Sequence, residues 1–398
     1  MTPDLSSDPV LIVSAARTPM GAFQGVLAPL SAPQLGAAAV GAAVSRAGLD
    51  PEAPDHVVMG CVLAAGLGQA PARQAALGAG LAQSVTAVTV NKMCGSGLQA
   101  VMAAHDALAV GAAQLAVAGG MESMTNAPYL LAKHRAGARI GHDRVIDSLY
   151  LDGLEDAYDG GKLMGAFAED TARARGIGRE AMDAYAQESL RRAQAATASG
   201  AFAGEITPVE VAARAGPAVV DRDEGPDRGD PARIPRLKPA FAPDGAITAA
   251  NASSISDGAA ALVLARASTC ERLGLSPVAR IAAHAAHAQA PSQFTTAPAP
   301  AMRKALQRAG WAAGQVDLWE INEAFAVVAM IAMAELGLAH AQVNVNGGAC
   351  ALGHPIGASG ARVLVTLLAA LQARGGRRGV ASLCVGGGEA VALAVELL

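Results

Sequence analysis

The chain has 398 residues, of which 52% are hydrophobic and 16% charged, and its formal net charge is -4. This composition supplies a large core, which excludes an intrinsically disordered protein, and no basic cluster is present that would bind nucleic acid. The five cysteines have long spacings, so neither a disulfide framework nor a zinc site is expected, and a reduced, cytoplasmic protein is favoured.

Neither a secretory leader nor a membrane-spanning segment is predicted. Residues 1–9 are polar and acidic, without the basic and apolar stretches of a leader. Glycine and polar residues interrupt the apolar runs before about 18 positions, the length that a transmembrane helix needs. We therefore expect no interaction with a membrane.

Strand-like and helix-like segments alternate through the first 120 residues. The predicted strands cover 10–14, 56–62, 85–91 and 114–118, and the predicted helices cover 35–47, 72–81 and 98–110. The last strand is expected to stop at Gly119 and Gly120. Alternation of this kind predicts βαβ units and a largely parallel sheet.

The composition changes between residues 121 and 250. A charged, proline-rich stretch covers 221–238, and an amphipathic helix is predicted over 179–198. Excursions of this length are often functional, so we interpret the segment as an inserted loop domain.

The last third of the chain repeats the pattern of the first. Its predicted strands cover 316–321, 342–346 and 379–384, and its predicted helices cover 302–308, 324–336 and 358–373. Residues 88–97 and 343–360 also share a Val/Asn strand that leads through small residues into a helix. An internal duplication explains this better than chance similarity of Gly/Ala-rich sequence. The predicted domains are 1–120 plus 251–275, the inserted segment 121–250, and 276–398.

Three residues at predicted loop or strand ends could carry chemistry. Cys94 lies between a strand and a helix, where backbone amides would lower the thiol pKa, unless it is only a small residue at a turn. His354 lies in a Gly/Pro loop before a helix, which favours a base over a packing residue. Cys384 ends a strand before three glycines whose amides could bind an oxyanion, although a buried structural cysteine is the simpler interpretation.

Two further segments are ambiguous by themselves. Asn322 falls at a predicted helix start, so it either caps that helix or holds a water molecule. The polar loop 251–258, which contains Ser253, either bonds a ligand or turns the chain.

Taken together, four motifs resemble the thiolase family, and the likeness extends over essentially the whole chain. They are Asn-Lys-Met-Cys-Gly-Ser-Gly at 91–97, Asn-Glu-Ala-Phe at 322–325, Gly-His-Pro-Ile-Gly-Ala-Ser-Gly at 353–360 and Cys-Val-Gly-Gly-Gly at 384–388. The resemblance implies an α/β thiolase fold, in which two duplicated βαβ-rich halves form a layered αβαβα core with an inserted loop domain.

The resemblance also implies a role for each matching residue. Cys94 becomes acylated, His354 takes its proton and Cys384 moves the α-proton of the second acyl-CoA. Asn322 orients a water beside His354 in one oxyanion hole, and the amides of Cys94 and Gly386 form the other. Ser253 contacts the pantetheine arm, and Met164 and Phe325 line the acyl pocket.

The implied activity is the reversible Claisen condensation of two acetyl-CoA to acetoacetyl-CoA and CoA. Acyl-CoA and CoA are then substrates and products, no separate cofactor or metal is needed, and a homotetramer is expected. The alternative within the family is a broad-range 3-ketoacyl-CoA thiolase of fatty-acid or aromatic degradation. Leu163, where many short-chain members carry His, leaves this alternative open.

Three other functions fit the sequence less well. A condensing synthase uses Cys-His-His or Cys-His-Asn, and it would not have a cysteine before the triple glycine. A nicotinamide dehydrogenase would need a third glycine where Pro71 follows Gly66-Leu67-Gly68. A non-catalytic acyl carrier would be expected to lack Cys94, His354 or Cys384.

Overall fold

The computed structural model describes residues 8–212 and 216–398. Its central element is one long β-sheet. The expectation about a leader falls mainly on residues 1–7, which lie outside the described residues. The strands are β1 (Val10–Arg17), β2 (Gly21–Ala22), β3 (His56–Gly60), β4 (Thr86–Val90), β5 (Leu115–Ser123), β6 (Tyr129–Leu130), β7 (Ile146–Asp147), β8 (Val209–Val211), β9 (Ala218–Val220), β10 (Ser256–Arg266), β11 (Ala279–Ala288), β12 (Leu318–Ile321), β13 (Arg378–Val385) and β14 (Glu389–Leu397). The α-helices are α1 (Ala32–Arg46), α2 (Pro71–Gly78), α3 (Ser96–Ala109), α4 (Met164–Ala174), α5 (Arg179–Ser199), α6 (Glu224–Arg228), α7 (Ala267–Leu273), α8 (Pro298–Ala309), α9 (Ala326–Leu336), α10 (Ala349–Leu352) and α11 (Ile356–Arg374).

The strand order of the main sheet is β12-β13-β14-β11-β1-β10-β5-β3-β4, with β2 paired to β10. The prediction of a largely parallel sheet was wrong, because β10 runs antiparallel to β1 and β5, and β14 runs antiparallel to β13 and β11. β14 follows β13 through a tight turn, which imposes the antiparallel direction. The N-terminal and C-terminal halves of the sheet join where Leu11 and Ile12 of β1 pair with Arg280 and Ala279 of β11.

Five layers stack across this sheet, as the thiolase resemblance implied. Helices α1 and α2 cover the outer face of the N-terminal strands, and α8 and α9 cover the outer face of the C-terminal strands. Helices α3 and α11 lie in the middle and bury side chains against both sets of strands. Side chains along a strand alternate between layers, so Leu262 of β10 faces the middle helices while Val263 faces α1.

Gly119 and Gly120 do not end β5, which continues to Ser123. A Cβ atom on Gly120 would lie 2.0 Å from the carbonyl oxygen of Gly357, at the start of α11. A Cβ atom on Gly119 would lie 2.0 Å from the carbonyl oxygen of Ala260 on the neighbouring strand β10. Gly120 therefore serves close packing of helix on strand and Gly119 close packing of strand on strand, and the expectation that they stop β5 was wrong.

The strand predicted at 342–346 is also absent from the structure. Only Val343 bridges β12, at Trp319. The side chain of Asn344 takes over the pairing, because its Oδ1 accepts from the amide of Ile321 and its Nδ2 donates to the carbonyl of Ile321, both at 2.8 Å. Asn344 has a φ of 48°, so the chain turns away from the sheet toward the His354 loop.

The segment 121–250 packs on the two halves and contributes to their cores. Helices α4 and α5 supply Phe167, Met182 and Tyr185 to the cluster that α8 and α9 share. The amphipathic helix predicted at 179–198 is confirmed as α5. The domain boundaries given above stay a prediction.

Among the described helices, α11 reaches the length and mean hydropathy of a membrane span, which the sequence analysis did not expect of any segment. However, 83% of this stretch is buried inside the protein. Its position between the sheet halves accounts for its apolar composition, so we describe it as a core helix.

Candidate active site

A cavity of about 1040 Å³ gathers most of the residues predicted to act. Its lining includes six of them, namely Cys94, Met164, Ser253, Phe325, His354 and Gly386. Cys384 and Asn322 do not line it and are almost wholly buried, at 1% and 0% exposure. Six of the predicted residues therefore line one cavity, whereas Cys384 and Asn322 are buried and do not line it.

Cys94 lies on a sharp turn between β4 and α3, as predicted. Met93 adopts a φ of 45°, a strained value for a non-glycine residue, and α3 begins at Ser96. The hydroxyl of Ser96 donates to the carbonyl of Met93 at 2.7 Å and accepts from the amide of Lys92 at 2.8 Å. These bonds hold the turn that presents the thiol to the cavity.

The thiol of Cys94 is neutral at physiological pH. Burial raises its pKa to about 11, although the amides of Gly386 and of Cys94 itself donate to the sulfur and lower it, and Glu122 adds a raising effect. The expected lowering of this pKa was wrong, because desolvation of a thiolate outweighs two amide dipoles. The proton must therefore leave during attack.

His354 is held so that one ring nitrogen can take that proton. Its amide donates to the carbonyl of Ser254 at 3.0 Å, and its Nδ1 lies 2.5 Å from the hydroxyl of Ser359. That hydroxyl donates to the carbonyl of Pro355 at 2.9 Å, so it accepts from Nδ1–H of the histidine. The lone pair is then on Nε2, which has no hydrogen-bond partner among the described residues.

Burial also keeps the His354 ring neutral. It lowers the ring pKa to about 3, with a smaller contribution from the positive charge of Arg362. A neutral imidazole with a free Nε2 has the form that a general base requires.

Cys384 is the penultimate residue of β13 and lies close enough to Cys94 for a thiolate at one to affect the other. Burial raises its pKa well above the usual range, and repulsion from a Cys94 thiolate raises it further. The resting thiol therefore holds its proton. The next glycines, Gly387 and Gly388, have φ values of 90° and 87° and turn the chain back over the cavity.

Asn322 does not cap a helix, because α9 begins at Ala326 with Phe325 in the cap position. Neither atom of its side-chain amide has a partner among the described residues. Buried amides are normally bonded, so this group has donor and acceptor capacity left for a ligand or a water.

The neighbouring Glu323 is a supporting residue that the sequence analysis missed. Its carboxylate accepts from the hydroxyls of Tyr185 and Ser189 at 3.0 and 2.8 Å, from the Asn344 amide at 2.8 Å, and from the backbone N–H of Cys350 at 3.0 Å. These bonds tie the Asn322 loop to α5 and to the loop before His354. Cys350, for which its run of small neighbours in the sequence favours a packing role, lies against this carboxylate.

Glu122 is a second residue that sequence reasoning did not find. Its carboxylate accepts from the amides of Val62, Leu63 and Gly357 at 3.0, 3.1 and 2.8 Å, and burial raises its pKa to about 7. Gly357 lies in the first turn of α11, so this carboxylate holds in place the start of the helix that follows His354. The sequence did contain a signal for it, because Glu122 is a charged residue that follows Gly119 and Gly120 closely and precedes Ser123.

The apolar end of the cavity is built from aromatic rings. Phe325 makes edge contacts with Phe241 and Phe294, at centroid distances of 6.1 and 6.4 Å. Phe241 lies against Gly165, where an added Cβ would be 2.3 Å from the ring. Met164 and Leu163 complete this wall, and neither phenylalanine at 241 or 294 had been predicted.

Ser253 lies on the polar side of the cavity, where its hydroxyl donates to the carbonyl of Ala324 at 3.1 Å. No lysine or arginine is among the described residues that line the cavity. The sequence offers Arg228, Arg233 and Lys238 as candidates for the coenzyme A phosphates, although it favours a solvated charged loop for each of them. None of the three lines the cavity, and Arg228 pairs with Glu224 at 2.7 Å.

Alkylation of Cys94 should depend steeply on pH. Because its pKa is about 11, the thiolate fraction and hence the rate with iodoacetamide should rise about tenfold per unit from pH 6 to 9. Peptide-level mass spectrometry measures the rate at Cys94, with N-acetylcysteine in the same buffers as the control. A rate already level below pH 8 would reveal a thiolate–imidazolium pair and contradict the neutral resting state.

Comparison with known protein families agrees with the geometry. Residues 10–268 match the family described as "Thiolase, N-terminal domain", and residues 275–397 match "Thiolase, C-terminal domain". Acetyl-CoA acetyltransferase 2 of Arabidopsis thaliana is 52% identical over 98% of this chain and 97% of its own. Acetyl-CoA acetyltransferase of Escherichia coli (strain K12) is 50% identical over 98% of this chain and 99% of its own.

Two solved structures have the same fold over almost their whole length. The Acat5 thiolase of Ascaris suum, in complex with coenzyme A, has a TM-score of 0.92 and 42% identity, covering 98% of this chain and 100% of that one. The acetyl-CoA acetyltransferase of Bacillus anthracis has a TM-score of 0.95 and 39% identity, covering 98% and 99%.

Proposed function

The chain belongs to the thiolase family, and we propose from that premise that it is an acyltransferase that condenses two acetyl-CoA to acetoacetyl-CoA and CoA, reversibly. The observation that carries this function is the convergence of the Cys94 thiol, the His354 ring and the Gly386 amide on one cavity. Acetyl-CoA acetyltransferases that are about half identical over the full length support the same substrate.

In the first half-reaction, Nε2 of His354 takes the proton of Cys94 as the sulfur attacks the thioester carbonyl of acetyl-CoA. The imidazolium returns that proton to the sulfur of the departing CoA. One thioester is exchanged for another, so the step is nearly balanced in free energy and runs in both directions. The covalent product is acetyl-Cys94.

In the second half-reaction, Cys384 acts as the base that removes the α-proton of a second acetyl-CoA. The carbanion attacks the carbonyl of acetyl-Cys94, and the Cys94 sulfur leaves as the new carbon–carbon bond closes. In thiolysis the same thiol returns the proton. A base with so high a pKa suits a weakly acidic C–H, and the proton that Cys384 holds at rest would pass first to Nε2 of His354, which is free again once CoA has left with its proton.

Two sets of donors would stabilise the oxygen anions of these steps. The amides of Cys94 and Gly386 already point at the Cys94 sulfur, where the tetrahedral intermediate on that residue would form. Asn322, with its unpartnered amide, and the ring of His354 would serve the thioester of the second acyl-CoA through a water. One such donor contributes about 3–4 kcal/mol to the transition state.

Cys94→Ala and Cys384→Ser should separate the two half-reactions. Acetyl-CoA should raise the intact mass of the wild-type chain by one acetyl group, and Cys94→Ala should lose this shift. Cys384→Ser should keep it, while thiolysis of acetoacetyl-CoA falls by about 10²–10⁴-fold because the α-proton has lost its base.

Cys350→Ser is the matched control for these variants, because Cys350 is a cysteine of the same chain that lies against Glu323. It should retain both acylation and most of the thiolysis rate. An acetyl shift that persists in Cys94→Ala, or wild-type thiolysis in Cys384→Ser, would show that these cysteines have been given the wrong roles.

The acyl wall favours short substrates. Phe325, which makes edge contacts with Phe241 and Phe294, and Met164 line the apolar part of the cavity. Each extra buried methylene would contribute about 0.8 kcal/mol, so room for two would raise binding of a longer substrate about tenfold. We propose that these bulky side chains deny that room, in keeping with the acetyl-CoA acetyltransferase relatives rather than with a broad-range degradative thiolase.

Thiolysis of four-, six- and ten-carbon 3-ketoacyl-CoAs at equal concentration should therefore slow with chain length. Leu163→Ala is the matched variant: it removes part of the wall without touching Cys94 or His354, so the six-carbon rate should rise relative to the four-carbon rate. A wild-type rate that increases with length would point instead to the broad-range thiolase.

The working form is proposed to be a cytoplasmic homotetramer. All five cysteines are free, as expected in a reducing compartment, and the inserted segment exposes Tyr129, Leu131, Ile140 and Val145, which a neighbouring subunit could cover. Light scattering at working concentration should give four chains per particle. A stable monomer would rule out the tetramer without affecting the chemistry at Cys94.

A further inference from the structure

Two histidines and an aspartate form a cluster far from the cavity. His105 and Asp106 lie near the C-terminal end of α3, and His284 lies on β11. Nine residues separate His105 from Ser96, where α3 begins, which at 1.5 Å per residue is roughly 14 Å. The cluster is thus at the other end of the helix from Cys94, and the mechanism above does not use it.

The three ligand atoms make a nearly equilateral triangle. Nε2 of His284 lies 3.2 Å from Nδ1 of His105 and 2.9 Å from Oδ1 of Asp106, and those two atoms are 3.0 Å apart. Ligands at right angles on an ion with bonds of about 2.1 Å lie about 3.0 Å from one another, as on one face of an octahedral site.

Hydrogen bonds cannot account for all three contacts of this triangle. Each neutral ring brings at most one N–H to the cluster and the ionised carboxylate brings none, so two protons at most serve three contacts. If both rings donate to Asp106, their nitrogens face each other as two donors at 3.2 Å. If His284 donates to His105, two lone pairs face each other at 3.0 Å. One cation accepts all three lone pairs at once.

We propose that His105, Asp106 and His284 bind one divalent first-row transition-metal ion. Two imidazoles and a carboxylate are the donors that such ions prefer. The Asp106 side chain is 62% exposed, whereas those of His105 and His284 are 13% and 16% exposed, so the ion can enter from solvent and keep water on its open side. It would link α3 of the first half to β11 of the second.

The binding should be of moderate strength. Nδ1 of His284 is buried and has no partner among the described residues, so no protein group orients the ring as a ligand. A missing partner of this kind weakens metal binding by about 10–100-fold. We expect a dissociation constant in the micromolar range.

Titration of the purified, full-length protein with Ni²⁺ in a non-coordinating buffer tests the site. The wild type should bind one ion per chain in isothermal titration calorimetry. His284→Gln should lose this binding, and Asp106→Asn should weaken it at least about tenfold. Ni²⁺ should also raise the thermal unfolding midpoint of the wild type but not that of His284→Gln.

His287→Gln is the matched control, since His287 lies on the same strand but bonds Gln289 and Lys304 instead. It should bind Ni²⁺ as the wild type does. All variants retain the five cysteines, so ion binding by thiols is a shared background, and unchanged thiolysis confirms their fold. Wild-type affinity in either His284→Gln or Asp106→Asn, or no wild-type binding at about 1 mM ion, would overturn the site.

Discussion

The close approach of α3 and α11 is the constraint on which the rest of the site depends. A Cβ atom on Gly97 would lie 2.6 Å from the amide nitrogen of Ala361, and one on Gly360 would lie 2.2 Å from that of Leu98. The two helices touch backbone to backbone at their first turns, which no larger residue permits. Cys94 precedes one first turn and His354 precedes the other, so this contact brings the proposed nucleophile and base to one cavity.

The same burial that packs these helices sets the protonation of the reacting groups. Desolvation raises the pKa of Cys94 and lowers that of His354, so each is neutral before substrate arrives. In the proposed attack, the negative charge that develops on the Cys94 sulfur would meet the amides of Cys94 and Gly386, which are fixed in the backbone. Dipoles fixed in advance need no rearrangement at that moment, which is the physical basis of their effect on rate.

The sequence predicted the residues of the candidate site more accurately than it predicted how the helices and strands pack. The four motifs identified the family and contain Cys94, His354, Gly386 and Phe325, and the resemblance they established added Ser253 and Met164; all six line the cavity. Such motifs are recognisable because catalytic geometry needs particular residues at particular turns. Glu122 escaped notice, and Glu323 and Ser359 were part of the motifs but were given no role, since most of their partners lie outside those motifs or are reached only when the chain folds. Such partnerships leave no local pattern.

The errors about local structure have a common origin. Gly119 and Gly120 were interpreted as turn-forming residues, although the backbone of β10 requires the first and that of α11 the second. The Val/Asn run at 342–346 has strand propensity, but Asn344 satisfies the edge of β12 with its side chain instead. In both places a tertiary contact overrode a local preference.

The middle layer also has a consequence for how the chain acquires its structure. Helix α3 is complete in the first third of the sequence, yet much of its apolar surface packs on α11, which ends at Arg374. During synthesis that surface stays uncovered until nearly the whole chain has left the ribosome. We expect the N-terminal half to be a poor folding unit by itself, with assembly a late and slow event that relies on contacts between distant parts of the chain.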